Sequence, residues 1–64
     1  MWYVHYNHNG TEGMYMLATL ELAIQASCTL IERGMVVSEI EGVDGHIGMN
    51  AVEIKLACSE LKAK

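Results

Sequence analysis

The sequence has no proline, no phenylalanine, only two cysteines and only four basic side chains among its 64 residues. The shortage of positive charge excludes one class of partner. The basic residues are Arg33, Lys55, Lys62 and Lys64, and a nucleic-acid binder needs a basic stripe to neutralise phosphates. Nothing of that kind precedes Arg33, so no nucleic-acid partner is expected. Long apolar runs are also missing, since no stretch approaches the roughly eighteen consecutive apolar residues of a membrane span. The opening Met1-Trp2-Tyr3-Val4-His5-Tyr6 lacks the basic start and apolar middle of a signal peptide. Small secreted domains carry more cysteines, in a framework. Cys28 and Cys58 are therefore expected as reduced, buried thiols in a cytoplasmic protein with no membrane partner.

What is present is apolar. Hydrophobic residues make up 52% of the chain, carried by five Met, three Tyr and one Trp besides the aliphatics. A chain of this length forms one domain and buries only about 60% of the surface its unfolded form exposes. Apolar side chains must therefore reach the surface, where a contiguous patch marks an interface. Methionine suits such a surface because it is flexible and polarizable. Eight acidic residues against four basic ones favour a basic or neutral protein partner.

The pattern along the chain reads as a small α+β domain of order ββαβ(β)α, spanning residues 1–64. Trp2 to His8 is rich in aromatic and β-branched residues, and Asn9-Gly10 is a strong hairpin signal. With those two as the loop, His8 faces Thr11, Tyr6 faces Gly13, Val4 faces Tyr15 and Trp2 faces Leu17. Directly opposed residues share a face. Trp2, Val4, Tyr6, Tyr15 and Leu17 are assigned to the core; Tyr3, His5, Asn7, Glu12, Met14 and Met16 lie on the other side.

Thr19 caps a helix whose apolar stripe is Leu20, Ala23, Ile24, Ser27, Leu30 and Ile31, and Gly34 ends it. Met35 to Glu41 reads as a strand, with Val36, Ser38 and Ile40 on one face and Val37, Glu39 and Glu41 on the other. Asp44-Gly45 is a second tight turn, returning a short strand from His46 to Met49. Asn50 and Glu53 make a capping box for a final helix, with Ile54, Ala57, Cys58 and Leu61 on one side and Val52 and Leu56 on the other. The sheet is expected to be antiparallel or mixed, of three or four strands, with two helices packed on one face.

Chemistry-bearing groups are few. His5 and His8 are three apart on a strand and point to opposite faces, and no paired-cysteine or paired-histidine metal spacing exists. No metal and no cofactor are expected. Cys28 lies mid-helix and Cys58 two turns into its helix, so neither has the helix N-terminal setting that activates a thiol. Glu39, Glu41 and Asp44 form an acidic edge, read first as a solvated face beside a turn and, as its functional alternative, as a docking patch for Arg or Lys, rather than as an acid/base pair. Residues 42–48 are glycine-rich but lack the strand and helix context of a nucleotide loop. Catalysis is not expected in so small a body.

Three readings remain. A protein-interaction module would dock through Tyr3, His5, Met14, Met16, Glu39, Glu41, Val52 and Leu56. A structural homodimer would use Val52 and Leu56 or an edge strand. A small-molecule or metal-responsive domain would use the histidines. The hairpin, then Thr19-Leu20-Glu21-Leu22-Ala23 opening a helix, then Val36 to Ile40, resembles tiny phage-encoded proteins that bind and inhibit host enzymes, among them the phage inhibitor of host RNA polymerase. The resemblance is one of size and element order. It implies an inhibitor or regulator encoded by a phage or mobile element, and it carries no site residue over.

Overall fold

A computed structural model describes residues 1–62 of the chain. Lys64, counted above among the basic residues, lies outside them. The elements are β1 (Trp2–His8), β2 (Thr11–Leu17), α1 (Leu20–Glu32), β3 (Val36–Gly42), β4 (Ile47–Asn50) and α2 (Ala51–Lys62). They form one four-stranded sheet of order β2-β1-β3-β4, antiparallel at every pair. The connection through α1 steps over β1, so the first strand is central.

The β1–β2 register is the one set by a two-residue loop, from Trp2 opposite Leu17 to His8 opposite Thr11. Asn9 (φ 53°) and Gly10 (φ 82°) both have positive φ, as the hairpin turn matching strand twist requires. The Gly10 N–H donates to Asn7 Oδ1 at 3.0 Å. On the covered face the Tyr6 ring lies over Gly13 and stacks on Tyr15 at 5.2 Å between ring centroids. Trp2 does the same across β3 and β4, where a Cβ on Gly48 would come within 2.6 Å of its ring. Glycines in strands thus accommodate the two largest rings.

Both helices start on side-chain caps. Thr19 Oγ1 accepts from the Leu22 N–H at 3.1 Å. Asn50 Oδ1 accepts from the Glu53 N–H at 2.9 Å, while Glu53 Oε1 accepts from the Asn50 N–H at 3.1 Å. That reciprocal box lets β4 run into α2 without a loop. Helix α1 ends at Arg33, and Gly34 follows at φ 88°.

The core sits between one sheet face and both helices. It comprises Val4, Val37 and Ile40 from the sheet, Ala23 and Leu30 from α1, and Ile54 and Cys58 from α2. Burying each large aliphatic contributes about 1.5–3 kcal/mol. Ser27 is fully buried among them, its hydroxyl donating to the Ala23 carbonyl at 2.8 Å. Leu61, assigned to the buried stripe of α2, is about half exposed.

Three expectations are corrected. First, β3 does not alternate simply. His5 pairs with Glu39 and Tyr6 with Val37, leaving Ser38 as an extra residue in a bulge. Val37 therefore shares the core face with Ile40, and Val36 shares the open face with Glu39 and Glu41. Two buried residues three apart in a strand require such a bulge. Second, the turn after β3 is longer than Asp44-Gly45. The Gly45 N–H donates to the Gly42 carbonyl and the Gly42 N–H to the His46 carbonyl, with Gly45 at φ 87°. The hydrogen-bonded loop spans residues 43–45 and closes on His46, and β4 begins one residue further on, at Ile47 rather than His46. Third, Cys28 and Cys58 are not separate thiols. They form a disulfide between the two helices, with Cα atoms 5.5 Å apart, because packing both helices on one sheet face brings Cys28 against the buried side of α2.

Candidate functional site

Because both helices cover the same side, the other side of the sheet is open. Three rows of side chains cross it, set by the pairings of β1 with its two neighbours. One runs Met16, Tyr3, Glu41, Ile47. The next runs Met14, His5, Glu39, Asn50. The third runs Glu12, Asn7, Val36. In the first two rows titratable groups (Tyr3, His5, Glu39 and Glu41) occupy the two central strands, with Met14 and Met16 on one side of them and Ile47 on the other.

Exposure follows strand position. Met14 and Met16, on edge strand β2, are 50% and 62% exposed, and Val36 and Ile47 are similarly open. Tyr3, His5, Glu39 and Glu41, each with a strand on both sides, are half-buried. His5 Nε2 lies 2.8 Å from Glu41 Oε1, a contact between residues 36 apart in sequence. The Glu39 carboxylate reaches the same place, so that one donor atom from each of His5, Glu39 and Glu41 lies within 4.8 Å of the others. They line a shallow depression with Glu12 and Ser38. Ser38, turned aside by the bulge, donates its hydroxyl to the His5 carbonyl at 3.2 Å, which ties the two strands beside the cluster.

Elsewhere polar contacts are local. In the β3–β4 loop, Asp44 Oδ1 accepts from the His46 N–H at 3.1 Å, and Asp44 Oδ2 lies 2.7 Å from His46 Nδ1. The backbone hydrogen bond first, and the imidazole second, hold the Asp44 carboxyl below its ordinary range. The Tyr6 hydroxyl is raised, by desolvation first and then by the neighbouring Tyr15 hydroxyl.

Six of the eight residues expected to bind a partner thus share one surface: Tyr3, His5, Met14, Met16, Glu39 and Glu41. Val52 and Leu56 do not join them. They stand 67% and 61% exposed on the solvent side of α2, in the opposite layer. Sequence reading missed Val36 and Ile47 as members of the open face, since their placement depends on the bulge and on the longer loop. It also missed a groove between the helices, floored by Ile24, Ala57 and Leu61 and edged by Glu21 and Glu60. No helix among the described residues is long and apolar enough to cross a membrane. Comparison with protein-family models, with curated proteins and with solved structures returns no match.

Proposed function

We propose that this chain is a small protein-interaction module that covers a surface on a partner protein with the open face of its sheet. The observation that supports this is a sheet face that neither helix covers, bearing exposed Met14, Met16, Val36 and Ile47. Met14 and Met16 lie together on the edge strand, with Tyr3 opposite Met16, and adjoining exposed apolar groups mark an interaction surface. The methionines adapt to a partner's shape. Glu39 and Glu41 at the centre favour a partner that presents Arg or Lys beside an apolar anchor. An inhibitor or regulator of the kind made by phages and mobile elements needs no more than this, and the role is one of binding rather than catalysis. A cytoplasmic setting is proposed from the missing signal-peptide pattern and the sparse cysteines; the Cys28–Cys58 bond corrects the reduced-thiol part of that reading.

The test is capture from cell lysate by the wild-type chain and by two double variants. Tyr3→Ala with Met16→Ala abolishes recovery of a stoichiometric partner; Val52→Ala with Leu56→Ala leaves it intact. A partner retained equally by both variants refutes the sheet-face reading.

A second reading, a homodimer, is favoured by one feature. Val52 and Leu56 lie one turn apart on the outer side of α2 and are both largely exposed. Light scattering that finds a dimer, and a monomer for the Val52→Ala, Leu56→Ala variant, would replace the first reading with this one.

A further inference from the structure

We propose that His5, Glu39 and Glu41 form a binding site for a first-row transition-metal dication, with zinc as the probe of choice. The proposal goes beyond the docking role and does not depend on it.

The geometry comes from the two central strands. β1 supplies His5 and β3 supplies both carboxylates, and the Ser38 bulge puts Glu39 directly across from His5. The three donor atoms lie within 4.8 Å of one another, and the His5–Glu41 pair is already at 2.8 Å. Ligands about 2.1 Å from a tetrahedral zinc stand about 3.4 Å apart. The Glu39 carboxylate closes in and the His5–Glu41 pair opens slightly to give three protein ligands, and water fills the fourth position. The imidazole must carry its proton on Nδ1, so the hydrogen bond between His5 Nε2 and Glu41 is exchanged for bonds to the ion.

Charge supports the same conclusion. The Glu39 carboxylate is half-buried and, among the described residues, has no hydrogen-bond or ion-pair partner. The described basic residues belong to the helical layer: Arg33 caps α1, and Lys55 and Lys62 lie on α2. Lys62 is directed to Glu32, 3.5 Å away. Glu12 lines the same depression and adds further negative potential. The donor set then selects the ion. An imidazole with two carboxylates favours zinc and its transition-metal neighbours over magnesium and calcium, which prefer all-oxygen shells.

The other histidine contacts differ. His46 and Asp44 sit in an exposed turn and offer two ligand groups, and the side-chain hydrogen bond of His8, among the described residues, is to Asn9. The disulfide removes both thiols from competition as long as the chain is kept oxidised.

The experiment is calorimetric titration of the oxidised chain with zinc chloride, followed in parallel by the histidine side-chain NMR resonances. One ion per chain binds, the His5 ring signals shift, and those of His8 and His46 do not. His5→Gln and Glu39→Gln each weaken binding by about tenfold or more, since even outer-shell changes cost 10–100-fold. His46→Gln leaves it unchanged. Magnesium and calcium at the same concentration produce no His5 shift. The proposal is overturned if no saturable binding occurs, or if binding follows His46 and Asp44. Thermal unfolding of each variant separates lost ligands from lost fold. Partner capture by the Glu39→Gln chain, scored separately, keeps this outcome distinct from that of the docking surface.

Discussion

Removal of the helix–helix cross-link is the perturbation with the largest expected effect. Cys28 and Cys58 are 30 residues apart in sequence, so their bond closes a loop of about that length in the unfolded chain. The chain-entropy relation for a loop of about 30 residues gives about 3.6 kcal/mol of stabilisation at 25 °C. A folded chain of this length is expected to hold about 3–10 kcal/mol in all, so the bond accounts for a third of the stability or more. At roughly 4–8 °C per kcal/mol for so small a domain, its loss lowers the melting temperature by roughly 15–30 °C. The measurement is thermal unfolding of the wild-type chain with and without a thiol reductant, beside the Cys28→Ala, Cys58→Ala variant. Alanine is chosen because Cys58 is almost fully buried, where a hydroxyl would lack a partner. Intact mass, which falls by two hydrogens on oxidation, confirms which species is present. Equal melting temperatures for oxidised and reduced chain would refute the reasoning, as would a purified chain with two alkylatable thiols.

The remaining predictions concern a glycine and a carboxylate. Gly48→Ala drives its new methyl into the Trp2 ring and costs about 1–3 kcal/mol through overpacking; a shift in Trp2 fluorescence together with a lower denaturation midpoint checks it. Asp44 has its folded pKa below the ordinary 3.8, so its contribution to the turn is present above that value and is lost as pH falls through the lower folded value. NMR titration of the Asp44 carboxyl carbon and the His46 amide should show the two moving together in that acid window. An Asp44 midpoint at or above the ordinary value would contradict the assigned hydrogen bonds.

Local signals carried most of the fold. Asn9-Gly10 fixed all seven pairs of the first hairpin, because a two-residue turn leaves no freedom of register. Thr19, Gly34 and the Asn50–Glu53 box marked helix ends through short-range bonding that the structure reproduces. What the sequence concealed was non-local. Ser38 has no feature that marks a bulge; its role appears only once Val37 and Ile40 must both reach the core. The Cys28–Cys58 pairing depends on how two helices approach one another, which neither helix encodes alone. The meeting of His5 with Glu39 and Glu41 was invisible for the same reason. His5 was weighed against His8, its neighbour in sequence, whereas its neighbours in space are Glu39 and Glu41. Their meeting follows from β3 pairing with β1, a placement that depends on the path of α1.

That placement has a consequence for synthesis on the ribosome. The β1–β2 hairpin can close within about 1–10 μs of emerging, but the other edge of β1 pairs only with β3, whose last residue is Gly42. Between Leu17 and Gly42 the ribosome adds 25 residues, which takes about one to five seconds at 5–20 residues per second. Throughout that interval the nascent hairpin carries an open strand edge beside the aromatic rings of Trp2 and Tyr6, and α1 is complete only at Glu32, 15 residues into it. The central position of the first strand therefore makes the early chain a natural client for a holding chaperone, and a slow codon placed between Leu17 and Val36 would lengthen the exposure.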